Sequence, residues 1–338
     1  MANQKDNNIF WDIYTPLSYN ALFNFVVGER GNGKTYGCKK YVIEKFLDTG
    51  EQFGYVRRYK EEYKQSANTF FNDLIANNEF PDTQFEVKGS KFLINGLEAG
   101  YGFILSTQSK KKSMSFPNIK TLVFDEFLLD PKNVMDRFLS NEVEAFLNMY
   151  ETVARMRDVR VFFIANAFTW QNPYFLYFGI EFPKSKKRIK VKNDILIQIT
   201  ESLAYRMEKN KTRFANLMKD TDFKKHAIDN EFIRDTEDFI IEQPKKQVYM
   251  FTIVSNKEKF GVWREPSTSR LFISKKYNPT SKIIYTTMEN HEPNMLLLKG
   301  AYRSPLIKLL IISFRMGGVF YDSVRTKNMI IKTLRSVI

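Results

Sequence analysis

Residues 28–35, Gly-Glu-Arg-Gly-Asn-Gly-Lys-Thr, restrict the possible folds of this 338-residue chain more than any other segment. They match the phosphate-binding loop pattern GxxxxGK[ST] in full. An apolar, strand-like run at 23–27 precedes them, and a helical pattern at 36–47 follows. A strand, a Gly-rich turn and a helix N-terminus together present backbone N–H groups and a positive dipole end to an anion. The pattern therefore predicts an α/β domain that binds a nucleoside triphosphate; a Gly-rich surface turn is the alternative.

Within this loop, two side chains have predicted contacts of their own. Lys34 is expected to reach the β- and γ-phosphates, and the Thr35 hydroxyl is expected to hold Mg²⁺. All residues of the loop are candidates for nucleotide binding: Gly28, Glu29, Arg30, Gly31, Asn32, Gly33, Lys34 and Thr35.

A second candidate segment is the apolar run at 121–124, which ends in Asp125 and Glu126. Asp125 is placed to hold Mg²⁺ through water, and Glu126 to orient and deprotonate the attacking water. An isolated acidic pair is usually a solvated strand end. Behind a phosphate-binding loop and on a buried strand, however, the pair favours a nucleoside triphosphate hydrolase.

Two further segments could supply residues that act on the γ-phosphate. Asn166 ends a third apolar run at 159–165 and is a candidate sensor, although an Asn that merely turns the chain is the alternative. A helical pattern at 141–158 carries Arg155 and Arg157 near its end. At about 100° per residue Arg157 falls on the apolar stripe, whereas Arg155 points away from it. Arg155 is thus the first candidate for an arginine finger that acts on a neighbouring subunit, with Arg157 second and a solvated arginine third.

Charge and composition limit the partners of the protein. The net charge of +14 favours a polyanion, and the single cysteine, Cys38, excludes an internal disulfide. No apolar run approaches the roughly 20 residues of a membrane span, so we expect a cytosolic protein. Each basic cluster could be a solvated face, but together they favour contact with a phosphate backbone. The candidate DNA-binding residues are Lys60, Lys110, Lys111, Lys186, Lys187 and Arg188.

The order of the patterns predicts two domains joined by a linker. Residues 1–200 alternate strands, at 23–27, 53–57, 103–106, 121–125, 159–165 and 195–199, with helices, which indicates a mostly parallel sheet flanked by helices. A hairpin is expected at 85–97, with Gly89-Ser90 or Asn95-Gly96 as its turn. Residues 201–243 are charged and helix-like, as in a linker or lid. Residues 244–338 are expected to form a small α+β domain, a three-strand meander (248–254, 259–264, 270–274) followed by a helical basic tail.

Several of these blocks, in this order, resemble the DNA-packaging ATPases of phi29-type tailed phages. The resemblance covers nearly the whole chain and rests on GERGNGKT at 28–35, YVRRYK at 55–60, VFDEF at 123–127 and the segment from Asn166-Ala167 to Asn172-Pro173-Tyr174-Phe175. The arginine pair at 155 and 157 belongs to the same pattern.

The resemblance implies an ATPase of the ASCE type, which has an additional strand and a catalytic glutamate. Such a protein would use ATP and Mg²⁺ to move double-stranded DNA into the prohead, as a homomeric ring of five subunits. It would dock on the portal through a structural packaging RNA in the host cytoplasm and be absent from the mature virion. The resemblance implies that Asp125 binds Mg²⁺ and that Glu126 is the catalytic base. It also implies that Arg155 acts on the nucleotide of the neighbouring subunit, with Lys112 as a further residue that acts across the interface.

The family's C-terminal domain is similar to an RNase H-like nuclease that has lost activity. A two-metal nuclease needs clustered carboxylates, yet residues 248–254 contain none, and after Glu265 only Glu289, Glu292 and Asp322 remain. The expected role of 244–338 is therefore nucleic-acid binding. Two alternatives stay open: a terminase-like packaging enzyme that also cuts DNA, and a nucleotide-switched module that binds RNA or DNA with negligible turnover.

Overall fold

The computed structural model describes most of the chain in two compact units. The described residues are 9–110, 114–129, 138, 139, 141–166, 172–180, 189–213, 217, 239–255 and 257–335. Those of the larger unit fall within 1–129, 141–168 and 181–233, and those of the smaller unit within 130–140, 169–180 and 234–338. No described helix combines the length and the apolar character that a bilayer span requires.

The larger unit is built on one sheet. Its strands are β1 (Phe23–Gly28), β2 (Gln52–Arg57), β3 (Phe85–Lys88), β4 (Lys91–Ile94), β5 (Leu97–Ile104), β6 (Ile119–Asp125), β7 (Arg160–Ala165), β8 (Ile189–Lys192) and β9 (Ile195–Thr200). The described strands lie in the order β3-β4-β5-β2-β6-β7-β1-β9-β8. From β5 to β9 every neighbouring pair is parallel, whereas β3, β4 and β8 add antiparallel edges. This places β2, β6, β7 and β1 side by side with their carboxyl ends at one edge.

Helices of the larger unit follow the strands that they connect. They are α1 (Tyr14–Leu17), α2 (Lys34–Thr49), α3 (Lys60–Asn68), α4 (Asn72–Ala76) and α5 (Glu142–Ala154), with α7 (Leu203–Asn210) after the last strand. The short α6 (Pro173–Tyr177) belongs to the smaller unit. Aromatic side chains fill much of the core: Phe25 stacks on Phe163 at 4.2 Å, and Phe53 stacks on Phe70 at 5.4 Å. The mostly parallel α/β prediction is confirmed.

One predicted strand is misplaced. The third strand was expected at 103–106, but β5 begins at Leu97 because both suggested turns form: Gly89-Ser90 joins β3 to β4, and Asn95-Gly96 joins β4 to β5. Gly100 and Gly102 weaken the strand signal in the sequence. Both are needed for packing, since a Cβ there would lie 2.6 Å from the Phe53 ring and 2.0 Å from the Tyr63 hydroxyl.

The smaller unit has a mixed sheet of its own. Its strands are β10 (Val248–Ser255), β11 (Glu258–Arg264), β12 (Leu271–Ser274), β13 (Ile284–Thr286), β14 (Leu296–Leu297) and β15 (Val319–Tyr321). The described strands lie in the order β14-β13-β10-β11-β12-β15, and the predicted antiparallel meander β10–β12 is confirmed. The tail was expected to be helical. Instead, parallel strands β13 and β15 extend the meander on both sides, and α8 (Pro305–Arg315) and α9 (Val324–Arg335) pack on it. Three strands of two or three residues are too short to show a period of two in the sequence.

Several predicted positions lie outside the described residues. They are Lys111, Lys112, Lys186, Lys187 and Arg188, together with most of the 201–243 linker beyond α7. Lys110 ends a 3₁₀ turn (Leu105–Lys110), and its side chain is outside the described part.

Candidate functional site

The sheet brings the predicted site residues together at its carboxyl edge. The phosphate-binding loop leaves β1, the acidic pair ends β6, and Asn166 follows β7. Arg57 ends β2 on the other side of β6, and Arg58 directly follows it. Ligands of open parallel sheets bind at this edge, so topology alone makes these separate segments of the sequence neighbours.

Two glycines permit the backbone conformation of the phosphate-binding loop. Gly28 has φ +146°, and a Cβ there would lie 2.1 Å from the backbone oxygen of Thr200, so no other residue fits without moving β9. Gly33 has φ +90° and directly precedes α2, whose first residue is Lys34. The left-handed conformation favours glycine and turns the chain sharply into the helix, whose first N–H groups then face the loop.

Lys34 is buried within this loop, with 3% of the residue exposed. Its Nζ donates to the backbone oxygens of Glu29 at 2.6 Å and Gly28 at 3.2 Å. Burial lowers the pKa of Lys34 to about 8, with Asp125 and Glu29 acting in the opposite direction. A buried cation whose pKa is lowered by burial is suited to a multiply charged anion, which would favour its charged form.

Asp125 and Thr35 form the second part of the site. The Thr35 hydroxyl donates to Asp125 Oδ1 at 3.1 Å, and the Tyr55 hydroxyl donates to Asp125 Oδ2 at 3.2 Å. Burial raises the pKa of Asp125, and the nearby Arg57 guanidinium partly opposes that rise. Both predicted Mg²⁺ ligands therefore lie within hydrogen-bond distance of each other, although they are 90 residues apart in sequence.

Arg57 contacts both carboxylates of the acidic pair. Its Nη2 donates to Glu126 Oε2 at 2.6 Å, and its Nη1 lies 3.6 Å from Asp125 Oδ2. Glu126 itself has φ +56°, a backbone conformation that is strained for a non-glycine residue. Its carboxylate keeps 57% exposure. The strained turn therefore presents a carboxylate to solvent while an arginine fixes its position.

Arg58 is a buried residue that contacts the turn after β6. It is 1% exposed and bonds Glu142 through Nε at 2.7 Å and Nη2 at 2.9 Å. Nη2 also donates to the backbone oxygen of Phe127 at 2.6 Å. This buried pair connects the end of β2, the turn after β6 and the start of α5. The arginines at 57 and 58 were candidates for the nucleotide site, but the pairing of Arg58 with Glu142 was not predicted, since nothing local in the sequence marks a pair 84 residues apart.

Helix α5 is shorter than predicted, and as a result the two arginine candidates lie in different environments. It was expected to run over 141–158 but ends at Ala154, because Arg155 adopts φ +52° and ψ −111°. The Arg157 guanidinium donates to four backbone oxygens: Phe116 at 2.8 Å, Pro117 at 2.5 Å, Ile119 at 3.0 Å and Val153 at 2.6 Å. These bonds stabilise the bend. Arg155 and the fully exposed Met156 project from it, so Arg155 is the better placed candidate.

Two other candidates are exposed. Asn166 lies at the end of β7, between β6 and β1, as a γ-phosphate sensor would require. Lys60 is exposed at the first position of α3, directly after Arg57, Arg58 and Tyr59. The DNA contact predicted for Lys60 remains a prediction.

Glu29 has a role that the sequence did not indicate. It is 2% exposed, accepts a hydrogen bond from the Ser202 N–H at 3.1 Å and pairs with Arg206 of α7. The Tyr205 hydroxyl donates to the backbone oxygen of Arg30 at 3.3 Å. The phosphate-binding loop is therefore attached to the segment that follows β9.

Comparison with known proteins places the chain in a viral family. Residues 5–337 match the family described as Podovirus DNA encapsidation protein (Gp16). The DNA packaging protein of Bacillus phage phi29 is 37% identical over 334 residues, which cover 98% of this chain and 99% of that protein.

Solved structures agree with the sequence match. The chain in the bacteriophage phi29 viral genome packaging motor assembly is 37% identical, with a TM-score of 0.60 over 98% of this chain and 100% of that one. The N-terminal domain of the DNA packaging ATPase from bacteriophage phi29 is 44% identical, with a TM-score of 0.53 over 58% of this chain and 98% of that domain.

The buried Arg58–Glu142 pair predicts a large loss of stability when it is broken. Glu142→Gln leaves the Arg58 charge buried without its carboxylate, and we expect the free energy of unfolding to fall by about 3–5 kcal/mol. Glu61→Gln is the matched control, because Glu61 pairs with Lys64 at 3.2 Å on the surface and is expected to change stability by less than about 1 kcal/mol. Urea denaturation of the full chain, followed by circular dichroism, measures both. Equal losses in the two variants would contradict the role of the buried pair.

Proposed function

The chain belongs to the Podovirus DNA encapsidation protein (Gp16) family and is a phage DNA packaging protein, and on that premise we propose that it is the ATPase that drives double-stranded DNA into the prohead. The observation that carries the proposal is the site at the carboxyl edge of the sheet. There a phosphate-binding loop with Thr35 follows β1, and Asp125 and the solvent-facing Glu126 lie at the end of β6, with β7 between the two strands.

The loop is proposed to bind the phosphates of ATP. Lys34 reaches the β- and γ-phosphates from its buried position, and the loop N–H groups from Gly28 to Thr35 surround them. Phosphate oxygens would replace the carbonyl oxygens of Gly28 and Glu29 as the partners of Lys34 Nζ. The charge of the phosphates is then balanced in a partly desolvated site, where electrostatic stabilisation is strong.

The residues present fit Mg²⁺. A hydroxyl and a carboxylate, Thr35 and Asp125, lie 3.1 Å apart, and oxygen donors of this kind are what Mg²⁺ prefers. When bound, the ion supplies positive charge that stabilises the phosphates during transfer. Burial raises the pKa of Asp125, so a further cation beside its carboxylate would favour the charged form.

Glu126 is the proposed general base. Its exposed carboxylate can accept a proton from the water that attacks the γ-phosphate, and Arg57 at 2.6 Å fixes its orientation. Asn166, one strand away, is proposed to sense the γ-phosphate. Lys112 is proposed as a second residue that acts on the neighbouring subunit.

We propose that the protein works as a homomeric ring, of pentameric form. Arg155 is exposed on a rigid bend of its own subunit, so it is available to a nucleotide held by an adjacent copy. A matching chain belongs to the packaging motor assembly of phi29, which supports an assembly here. A ring of such sites makes hydrolysis in one subunit depend on the next.

The further partners follow from the family and from charge. Double-stranded DNA is proposed to contact Lys60 and the basic clusters at 110–112 and 184–192, in keeping with the net charge of +14. The ring is proposed to dock on the portal through a packaging RNA, in the host cytoplasm, and to leave before the virion is complete.

The smaller unit is proposed to be an inactive RNase H-like domain that binds nucleic acid. Its antiparallel meander, extended by parallel strands and covered by α8 and α9, supports the comparison. The central β10 carries no carboxylate, which argues against the alternative of a packaging enzyme with nuclease activity.

An arginine that acts between subunits predicts rescue in mixed rings. Arg155→Ala alone should lose about 10³-fold or more of the DNA-stimulated ATP hydrolysis, and Glu126→Gln should be nearly inactive. Mixed together they should regain activity, because a subunit with intact Glu126 receives Arg155 from its Glu126→Gln neighbour. Phosphate release in the presence of double-stranded DNA and proheads measures the effect.

The control for this mixture is the double variant Arg155→Ala/Glu126→Gln. Added to Arg155→Ala protein, it forms the same rings but supplies no arginine, so no activity should return. If Arg155→Ala and Glu126→Gln fail to complement each other in any ratio, the finger does not act between subunits.

The pKa of Lys34 predicts how ATP binding changes with pH. Below the pKa of about 8, Lys34 is charged before ATP arrives, so affinity should not vary with pH. Above it, binding must restore a proton, since the phosphates raise the pKa again, and affinity should fall by up to about tenfold per pH unit. Calorimetry in two buffers of different ionisation enthalpy should show proton uptake at pH 8.5 and almost none at pH 7. Equal proton uptake at the two pH values would exclude this role for Lys34.

A further inference from the structure

The second position of the phosphate-binding loop carries a buried carboxylate that the loop pattern does not require. GxxxxGK[ST] leaves the four residues after the first glycine open, and Glu29 is the first of these four. Glu29 is 2% exposed. Because the loop is proposed to surround the phosphates of ATP, a negative charge within it should repel the ligand. The contacts of Glu29 show how this repulsion is avoided.

Arg206 of α7 pairs with the Glu29 carboxylate. Its Nε donates to Glu29 Oε1, while Glu29 Oε2 accepts a hydrogen bond from the Ser202 N–H at 3.1 Å. Arg206 Nη2 also lies 3.7 Å from Glu201 Oε1. The loop and α7 belong to the same compact unit. Both oxygens of the buried carboxylate thus have a donor, and one of these donors carries a full positive charge.

Two further contacts hold the start of α7 against the loop. The Tyr205 hydroxyl donates to the backbone oxygen of Arg30 at 3.3 Å. A Cβ on Gly31 would lie 2.4 Å from that hydroxyl, so a larger residue would not fit there unless the tyrosine moved. Ser202 caps the helix, since its Oγ accepts a hydrogen bond from the Tyr205 N–H at 3.1 Å. Residues 29–31 of the loop therefore pack directly against α7.

Glu29 lies beside the cation that is proposed to bind phosphate. Its backbone oxygen accepts a hydrogen bond from Lys34 Nζ at 2.6 Å. Burial lowers the pKa of Lys34 to about 8, and the carboxylates of Asp125 and Glu29 act against that shift. The charge of Glu29 therefore reaches the atom that would contact the β- and γ-phosphates. In a partly desolvated site such a charge changes the affinity for a polyanion unless an opposite charge compensates it.

We propose that Arg206 is a positioning residue of the phosphate site, which compensates the charge of Glu29 so that the loop accepts a polyphosphate. The inference rests on the proposed function, since it assumes that the loop holds the phosphates of ATP. Linkage makes the effect reciprocal: if the Glu29–Arg206 pair strengthens phosphate binding, bound phosphate strengthens the pair by the same factor. ATP thereby holds the start of α7 more firmly against the loop.

The test measures the MgATP affinity of the full chain by calorimetry in three variants of the pair. Arg206→Gln leaves the Glu29 carboxylate uncompensated, so ATP should bind at least about tenfold more weakly. Arg206→Lys keeps the positive charge and should lose much less affinity. Glu29→Gln/Arg206→Gln removes both charges and should return the affinity to within about threefold of the wild-type value.

The double variant separates the effect of charge from that of structure. If Arg206 acted only by fixing α7, Glu29→Gln/Arg206→Gln would lack the same ion pair and would bind ATP as weakly as Arg206→Gln. That result, or wild-type affinity in Arg206→Gln, would overturn the proposal. Lys211→Gln is the matched control: Lys211 directly follows α7 and pairs with Glu208 at 2.6 Å on the surface, so its loss should change ATP affinity by less than about twofold.

Hydrogen exchange measures the reciprocal effect. In the wild type, MgATP and magnesium tripolyphosphate should both slow the exchange of the α7 amides, because the phosphates alone strengthen the pair; in the double variant neither ligand should do so. Exchange in α7 that stays the same on binding would contradict the coupling. If the wild type binds neither ligand, the proposed function fails, and the role of Arg206 fails with it. If the wild type and Arg206→Gln bind ATP equally, the role of Arg206 fails alone.

Discussion

Buried positive charge at the carboxyl edge of the sheet is the constraint on which the larger unit depends. Lys34, Arg57 and Arg58 are each less than 7% exposed there. A buried charge is costly unless it is paired, so each of them determines the position of the groups around it. Backbone oxygens surround Lys34, the acidic pair faces Arg57, and Glu142 pairs with Arg58. These charges therefore determine the local arrangement of the residues proposed to form the phosphate site.

The two neighbouring arginines have different contacts, since Arg57 is the last residue of β2 and Arg58 lies in the bend that follows. Arg57 points toward the acidic pair, where its charge can respond to the ligand, whereas Arg58 reaches the turn after β6 and the start of α5. Helix α5 ends in the bend that carries Arg155. A set of contacts thus joins the acidic pair, through Arg57, Arg58 and Glu142, to the helix that ends in the bend of Arg155, the residue proposed to act on a neighbouring subunit.

The sequence predicted the structure best where short-range patterns determine it. The strand–loop–helix at 23–47 and the acidic strand end were located to within two residues, because both have short-range signals. The end of α5 was missed, since Arg157 stabilises it through carbonyls of residues 116–119, about 40 positions away. The Arg58–Glu142 and Glu29–Arg206 pairs were missed for the same reason. Pairing across a sheet depends on strand order, which a single sequence does not contain.

The bend after α5 shows how such distant contacts can create a functional element. A non-glycine residue at φ +52° is strained, and strain persists only when the surroundings fix it. Four hydrogen bonds from one guanidinium do so here, and they leave Arg155 without the freedom of an ordinary helix end. A long charged side chain loses less entropy on meeting its partner when its backbone is already fixed. Arg157 therefore fixes the bend from which Arg155, the proposed arginine finger, projects.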